Sequence, residues 1–249
     1  MGEAIAVISG KGGTGKTSFC AGVSVALAVS GRKILCIDCD VGLRNLDIPL
    51  GMSDVGALSF RDVCEGGYPL SRASVHPQFG NLSFLTAPMN CGAEEIDPAG
   101  FAEMIRAARQ QFDYVLLDAP AGMDAGFRLA SENADRCVLV TGSDPASIRD
   151  AGHTAETLEL MGKHHVRLVV NRIRPKMVAA MALTVDDVMD QAGLPLLGIV
   201  PEDPNITFAA AFGKPLLSYK KRSGAATAFD RIARRIEGVP VRIPIRKFK

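Results

Sequence analysis

The sequence has almost no net charge, because 28 lysine and arginine residues face 27 aspartate and glutamate residues, which leaves +1 at pH 7. Such a chain has no general electrostatic attraction to nucleic acid, so any basic patch must be local. No apolar run approaches the roughly 20 residues that span a bilayer. No low-complexity linker divides the 249 residues. We therefore expect one α/β domain over residues 1–238 and a basic, proline-containing tail at 239–249.

Closely paired cysteines are also scarce. Six cysteines are scattered along the chain, and its start has neither a charged-then-apolar leader nor a small-residue cleavage site. This pattern favours the reduced cytoplasm. Cys36 and Cys39 match C-x-x-C but straddle the end of an apolar run instead of opening a helix, so we expect them to pack in the core. The histidines at 153, 164 and 165 lack metal-ligating companions, which favours solvated side chains.

Short β-rich runs alternate with segments of helical periodicity. Residues 19–30 and 98–111 predict helices, and residues 225–237 predict another near the end of the chain. Apolar strands separated by helices predict a single-domain, mostly parallel, twisted sheet flanked by helices, with ligands bound beyond the carboxyl ends of the strands. The predicted strands are residues 4–9, 33–38, 81–87, 113–120, 137–142, 166–172 and 196–201.

The segment after the first predicted strand has the phosphate-loop pattern. Gly10, Gly15, Lys16 and Thr17 satisfy G-x-x-x-x-G-K-[ST]. In this pattern backbone N–H groups surround phosphate oxygens at a helix N-terminus, the lysine reaches the β and γ phosphates, and the threonine hydroxyl ligates Mg²⁺. A glycine-rich turn without a ligand is the alternative. The predicted phosphate-binding residues are Gly10, Gly12, Gly13, Thr14, Gly15, Lys16, Thr17 and Ser18.

Carboxylates close two other predicted strands. Asp118 ends the apolar run YVLL, where a Walker B aspartate would face the metal, although a capping or solvated aspartate also fits. Asp38 and Asp40 follow the neighbouring strand and, at i and i+2, point to one side of an extended chain. One of these two could hold a metal-bound water while the other orients the attacking water. Alternatively, they only balance nearby lysines.

Longer segments resemble the MinD/ParA family of deviant Walker A P-loop ATPases, and within it the MinD branch. Lys11 in GKGGTGKT is the additional lysine of the deviant motif, and IDCDVGLRNLDIPLG at 37–51 looks like the switch I segment. DAPAG at 118–122 looks like switch II, and GIVPED at 198–203 looks like the loop beside adenine. The resemblance spans about residues 4–237. It implies a P-loop fold like that of the nitrogenase iron protein, with ATP and Mg²⁺ bound.

The resemblance also implies residue roles in a homodimer that forms with ATP. Lys11 would reach the partner's phosphates, Lys16 would bind phosphate in its own subunit, and Asp40 would position the attacking water. Thr17, Asp38 and Asp118 would lie near Mg²⁺, and the Gly122 backbone would contact the γ-phosphate. Residues 44, 45 and 47 would form a loop that orders with ATP. The residues expected around adenine are Asn171, Arg172, Pro201, Glu202 and Asp203.

The function implied is slow ATP hydrolysis that switches partner affinity and positions cell-division machinery at the septum site, with a division-site regulator as protein partner. A ParA-like DNA segregation protein would use the basic residues 220–222, 231, 234 and 235, but a charge run of this kind is usually a solvated helix face. A flagellar-number regulator is another alternative. An iron–sulfur carrier would need paired cysteines that Cys91 and Cys137 do not supply, and a small-molecule kinase would not need Lys11.

The end of the chain departs from the MinD branch, which usually finishes with an amphipathic membrane-binding helix. Pro240 and Pro244 forbid a regular helix through the tail. The alternation of Val241, Ile243 and Ile245 with arginines predicts an edge strand. A peripheral position on the inner face of the cell membrane therefore stays open beside a purely cytoplasmic one. Partner binding at SIRDAGHT (147–154) is open as well, because Ala151 and Gly152 follow Asp150 there.

Overall fold

The computed structural model describes residues 1–175, 180 and 183–244. Its sheet has eight strands in the order β3-β4-β2-β5-β1-β6-β7-β8, and every neighbouring pair is parallel except β3 and β4. The predicted mostly parallel sheet is confirmed. The strands are β1 Glu3–Ser9, β2 Ile34–Asp38, β3 Ser74–Val75, β4 Leu82–Leu85, β5 Tyr114–Ala121, β6 Arg136–Thr141, β7 Val166–Ile173 and β8 Leu196–Pro201.

All seven predicted strands are present, with ends that differ by at most two residues. The prediction missed β3, which is too short to show a period of two. Two 3₁₀ turns lie at Leu70–Arg72 and Ala93–Glu95. The α-helices are α1 Lys16–Val29, α2 Asp47–Leu50, α3 Phe60–Cys64, α4 Pro98–Gln111, α5 Ala125–Glu132, α6 Pro145–Leu160, α7 Val185–Ala192, α8 Asn205–Ala211, α9 Leu216–Tyr219 and α10 Gly224–Ile236.

Helices cover both faces of the sheet, which explains why its strands are continuously apolar. Side chains alternate along β1, so Ile5 and Val7 pack with α1 and α10 on one face. Ala4, Ala6 and Ile8 pack on the opposite face with α3 to α7. Each isoleucine or valine fully buried this way stabilises the fold by about 1.5–3 kcal/mol. The carboxyl ends of the parallel strands are left at one edge, where polar loops meet.

The first and last long helices pack against each other on the α1 face. The rings of Phe19 and Phe229 meet edge to face, with centroids 6.0 Å apart. Gly22 permits this approach, because a Cβ at residue 22 would lie 2.2 Å from Cδ2 of Phe229. The contact joins α1, which follows the phosphate loop, to α10.

We expect Gly22→Ala to destabilise the protein by about 1–3 kcal/mol through overpacking. This sign is diagnostic, because alanine in a helix interior ordinarily stabilises by about 0.5–1 kcal/mol relative to glycine. Chemical denaturation measures the change, and the smaller side chain of Phe229→Leu provides the control background. An equal cost of Gly22→Ala in both backgrounds would contradict the steric explanation.

The predicted edge strand in the tail is wrong for residues 239–244, which form no strand; its last residues, 245–249, lie outside the part described. Arg235 binds the tail instead, because its Nη1 donates to the carbonyl of Val241 at 2.8 Å and its Nε donates to the carbonyl of Leu197, also at 2.8 Å. Ile243 packs against the core of the α4 face. Proline at 240 and 244 removes N–H groups that a ladder needs, and Arg235 occupies a carbonyl of the β8 edge.

Candidate nucleotide-binding site

The phosphate loop lies between the end of β1 and the start of α1, at the carboxyl edge of the sheet. Gly13 and Gly15 both have φ of 82°, a left-handed conformation that favours glycine. The first turn of α1 contains no acidic residue, and no side chain caps its N-terminus. Its first N–H groups and the positive end of the helix dipole therefore remain available for an anion.

Two glycines of the loop are required by close packing. A Cβ at residue 10 would lie 2.5 Å from Oγ1 of Thr154 and 2.6 Å from the carbonyl oxygen of Asp150, both on α6. A Cβ at residue 15 would lie 2.6 Å from Nδ2 of Asn171 at the end of β7. The loop is therefore pressed onto α6 and β7, and its free side faces outward.

A buried ion pair lies beneath the start of α1. Nζ of Lys16 is 2.7 Å from Oδ1 of Asp118, and both side chains are almost fully buried. Asp118 continues the row of β5 that faces α1, two residues after Leu116. Burial opposes a charged lysine, but the attraction of Asp118 outweighs it and raises the pKa of Lys16. The structure thus brings the predicted phosphate lysine and Walker B aspartate together.

Asp38 lies beside Asp118 and clamps the loop that follows β2. The two aspartates are paired in register on neighbouring parallel strands. Oδ1 of Asp38 accepts the N–H of Asp40 at 3.0 Å, and Oδ2 accepts the N–H groups of Asn45 at 2.9 Å and Leu46 at 3.0 Å. Burial and then the charge of Asp118 raise the pKa of Asp38 to about 6, although the three N–H donors oppose this. Its predicted place near Mg²⁺ stays a prediction, and here it orders the loop.

Asp40 is more exposed than the other two aspartates and faces the same region. Burial raises its pKa, while Lys16 acts in the opposite direction. The loop beyond it is strained, because Arg44 adopts a left-handed φ of 46°. Arg44 Nε lies 3.6 Å from Oδ2 of Asp47. The predicted switch residues therefore form one compact loop attached to Asp38.

The donors at this edge fit a magnesium ion bound mainly through a substrate. Oδ2 of Asp118 is buried and accepts no hydrogen bond from the described residues. Thr17 lies half-buried in the first turn of α1. Among the residues with assigned structure, no three His, Cys, Asp or Glu side chains could hold a metal by themselves. Mg²⁺ commonly takes one or two protein oxygens, phosphate oxygens and waters, which agrees with this sparse donor set.

A cavity of about 580 Å³ opens beside the phosphate loop. Asn171 fixes its wall to the loop, since Nδ2 donates to the carbonyl of Thr14 at 2.8 Å. Arg172 has a left-handed φ of 56° and donates from Nη1 to the carbonyl of Gly13 at 2.9 Å. All five residues predicted around adenine line this cavity, together with Gly15, Ser18, Pro204, Ile206 and Thr207.

Asp203, at the rim of that cavity, already has partners within the chain. Its Oδ1 accepts the N–H of Asn205 at 3.0 Å, and its Oδ2 accepts the N–H of Ala225 at 3.0 Å. The carboxylate therefore secures the starts of α8 and α10. Gly122 is engaged too, because its N–H donates to the carbonyl of Ser9 at 3.3 Å. The nucleotide contacts of both residues stay predictions.

Lys11 lies on the outer side of the phosphate loop. Its Nζ is 3.7 Å from Oδ1 of Asp144, and both side chains are about half exposed. Asp144 caps α6 by accepting the N–H of Ser147 at 3.0 Å. Asp144 was not among the predicted functional residues, although a strand end followed by Asp-Pro is a helix-start signal. Ile206 and Thr207, which line the cavity, had no sequence feature that pointed to this role.

Removal of the Asn171 side chain tests whether this residue supports the phosphate loop. We expect Asn171→Ala to weaken ATP binding by roughly tenfold, because the loss of one hydrogen bond to the loop is worth about 1–1.5 kcal/mol. Equilibrium titration with a fluorescent ATP analogue measures the change. Asn81→Ala, which removes an amide from the opposite edge, is the control, and equal affinity of Asn171→Ala and the parent protein would contradict the expectation.

Comparison with known proteins gives one family. Residues 5–216 match the CobQ/CobB/MinD/ParA nucleotide binding domain family. The septum site-determining protein MinD of Synechocystis sp. is 37% identical over 240 residues, which cover 96% of this chain and 90% of that protein. MinD of Bacillus subtilis is 35% identical over 249 residues, which cover 98% of this chain and 92% of that protein.

Solved structures agree with the sequence comparison. A chain of the MinC:MinD cell division protein complex of Aquifex aeolicus superposes with a TM-score of 0.88 at 34% identity, covering 97% of this chain and 98% of that one. MinD of Pyrococcus horikoshii complexed with Mg-ADP has a TM-score of 0.83 at 31% identity, covering 95% and 96%. The P-loop, the paired aspartates and these relatives together establish that the chain belongs to the MinD/ParA family of P-loop ATPases, in its MinD branch.

Proposed function

We propose that this protein is a MinD-like ATPase that binds ATP with Mg²⁺, dimerises in the ATP state and hydrolyses ATP to reset a switch that positions cell-division machinery. The observation that carries this proposal is the place of Lys11. It lies on the outer side of the loop, half exposed, and its one ion pair within the described residues is with the solvent-accessible Asp144. A surface ion pair of this kind contributes about 0–1 kcal/mol, so Lys11 is free to contact the phosphates of a second subunit.

Each residue then has a chemical task. To bind phosphate oxygens, the Lys16 ammonium gives up its ion pair with Asp118. Asp40 orients the attacking water by accepting a hydrogen bond from it. Lys11 of the second subunit stabilises the negative charge that develops on the transferring phosphoryl group, so hydrolysis depends on dimerisation. The metal would be held by the Thr17 hydroxyl with Asp118 and Asp38 nearby, and would neutralise charge on the β and γ phosphates.

We also propose a protein partner and a location. The Aquifex relative was solved as a MinC:MinD cell division protein complex, which supports a division-site regulator as partner here. Crossing a bilayer needs a long apolar helix, and none occurs among the described residues. We propose that the protein works in the cytoplasm and that residues 1–238 form its ATPase domain, with 239–249 as a tail attached through Arg235. A peripheral location at the inner membrane face stays a prediction.

The DNA-segregation alternative loses part of its basis in the structure. Arg235, one of the basic residues on which it relied, points its guanidinium at the carbonyls of Leu196, Leu197 and Val241. It is therefore unavailable to a phosphate backbone. The iron–sulfur alternative also loses support, because four of the six free cysteines are buried and therefore not available at a surface.

Light scattering tests the dimer switch. We expect the Asp40→Ala variant, impaired in hydrolysis, to double its mass with Mg²⁺-ATP but not with Mg²⁺-ADP. Adding Lys11→Ala should keep it monomeric with ATP still bound, whereas Lys33→Ala, which removes an exposed lysine at the far edge of the sheet, should leave the dimer intact. A dimer that forms without Lys11, or a monomer with bound ATP in its presence, would refute the proposal.

A further inference from the structure

A buried histidine lies at the far end of residues 40–51, here called the switch loop, which begins with Asp40. His76 directly follows β3 and is only 2% exposed. Its Nε2 lies 2.8 Å from the carbonyl oxygen of Leu50, the last residue of α2. Its Nδ1 accepts the backbone N–H of Gln78 at 3.0 Å. One ring nitrogen therefore contacts the switch loop, and the other contacts the turn between β3 and β4.

These two partners determine which ring nitrogen carries the proton. A backbone N–H can only donate, so Nδ1 of His76 is unprotonated and the neutral ring has its proton on Nε2. Nε2–H then donates to the Leu50 carbonyl. Burial lowers the pKa of His76, which keeps the ring in this neutral form. The bond meets a need of α2, because the last carbonyls of a helix have no partner within the helix.

The ring is held from the side of the sheet. The backbone N–H of His76 donates to the carbonyl of Leu82, the first residue of β4, at 2.8 Å. The rings of His76 and Phe79 pack together, with 4.9 Å between their centroids. Oε1 of Gln78 accepts the hydroxyl of Ser218 on α9 at 2.9 Å. His76 therefore connects the switch loop to a turn whose position is set by the sheet.

The position of α2 affects Asp40 through a short chain of contacts. Helix α2 has only four residues, too few to be stable without tertiary contacts. Leu46 immediately precedes it and, with Asn45, donates its N–H to Oδ2 of Asp38. Displacement of α2 would pull these N–H groups away from Asp38 and loosen the segment between them, which contains Asp40.

We propose that His76 is a positioning residue for ATP hydrolysis, because it holds α2 where Asp40 can orient the attacking water. The inference rests on the role of Asp40 proposed above. A displacement of about 1 Å can lower a reaction rate up to about a hundredfold. We therefore expect loss of the bond between His76 and Leu50 to lower kcat about tenfold or more. ATP affinity should stay unchanged, since His76 belongs neither to the phosphate loop nor to the cavity lining.

Two conservative variants separate the two hydrogen bonds of the ring. His76→Gln places an amide N–H near the position of Nε2, so it keeps the bond to Leu50 and loses the acceptor for Gln78. His76→Asn does the reverse, because asparagine accepts the N–H two residues later in an Asx turn. We expect His76→Gln to hydrolyse ATP at nearly the parent rate and His76→Asn to show the full loss of kcat.

A control variant separates positioning from loss of stability. Asn81 lies in the same turn, and its Nδ2 donates to the carbonyls of Ala28 and Arg32 at the end of α1. Asn81→Ala should therefore lower stability but keep the parent kcat. Denaturation and steady-state hydrolysis of the full chain with Mg²⁺-ATP measure the two effects in each variant.

Two further measurements test the route through the loop. In hydrogen exchange, which does not depend on activity, the amides of Asn45 and Leu46 should exchange faster in His76→Asn than in the parent or His76→Gln. The double variant Asp40→Ala/His76→Asn should hydrolyse ATP as slowly as Asp40→Ala alone, because residues that act through one another are not additive.

The results that would overturn the proposal differ from those that would refute the role of Asp40. Equal loss of kcat in His76→Gln and His76→Asn would overturn it, as would unchanged amide exchange in His76→Asn. Normal hydrolysis by His76→Asn, when Asp40→Ala is slow, would also refute the positioning role alone. Normal hydrolysis by Asp40→Ala would refute the proposed role of Asp40 and, with it, the task assigned to His76.

Discussion

Lys16→Ala is expected to abolish ATP hydrolysis and to destabilise the folded protein by about 3–5 kcal/mol, since it removes one partner of a buried ion pair. Asp118 would stay buried without the ammonium group that lies 2.7 Å away in the parent protein. No other described cation is paired with Asp118. Phosphate release assays and guanidinium denaturation measure the two effects separately.

Lys11→Ala is the matched control for this double effect. We expect it to lose ATP hydrolysis as well, but to change the free energy of unfolding by no more than about 0.5 kcal/mol, because its pair with Asp144 is longer and exposed. The double variant Lys16→Met/Asp118→Leu should recover stability without activity, since it replaces both charges. Normal stability of Lys16→Ala would show that Asp118 has another source of compensation.

The free energy of unfolding should fall by about 2.4 kcal/mol as the pH rises from 4 to 7 because of Asp38 alone. Its pKa is about 6 in the folded protein, against 3.8 for an ordinary aspartate. Between these values the folded protein keeps a proton that the unfolded chain has released, so stability decreases as pH rises through this window. Above about pH 7 both states are ionised and the contribution of Asp38 is constant.

Denaturation at a series of pH values, carried out on the parent and on Asp38→Asn, isolates this contribution. The difference between the two unfolding free energies should vary most between pH 4 and 6 and level off above pH 7. Asp113→Asn, at the opposite edge of the sheet, serves as the control and should follow the parent. Parallel curves for the parent and Asp38→Asn would mean that Asp38 ionises normally. Ionised Asp38 accepts the N–H groups of Asn45 and Leu46 more strongly than protonated Asp38 does. Because its pKa is raised, Asp38 loses this stronger hold on the loop at a higher pH than an ordinary aspartate would.

The elements that the sequence predicted well are those determined by local chemistry. Residues 98–111 form a helix as predicted because Phe101, Met104, Ile105 and Ala108 repeat at helical spacing and are buried. The phosphate loop was recognisable because only glycine fits at residues 10 and 15, for reasons now visible in α6 and β7. Lys16 and Asp118 were predicted to lie in the same site because Lys16 begins a predicted helix and Asp118 ends a predicted apolar run, both at the same edge of the sheet.

The parts that could not be predicted depend on partners far away in the chain. Arg235 looked like a solvated helix cation, but it binds backbone carbonyls of β8 and of the tail. The place of Asp203 beside adenine stays a prediction, but the sequence did not show that its carboxylate accepts an N–H from the start of α10, 22 residues later. Asp38 was assigned to a metal because its type and spacing allow that, whereas its loop contacts arise from backbone positions that carry no sequence signal. Long-range hydrogen bonds decided the first two cases, and hydrogen bonds within one loop decided the third.

The packing of Gly22 against Phe229 has a consequence for how the protein emerges from the ribosome. The phosphate loop is synthesised among the first residues, but β1 lies between β5 and β6, and α1 is covered by α10. Contacts of such large sequence separation form slowly. The nascent chain therefore cannot complete its ATP site until nearly all of it has been translated, so the protein begins to sense nucleotide only at the end of its own synthesis.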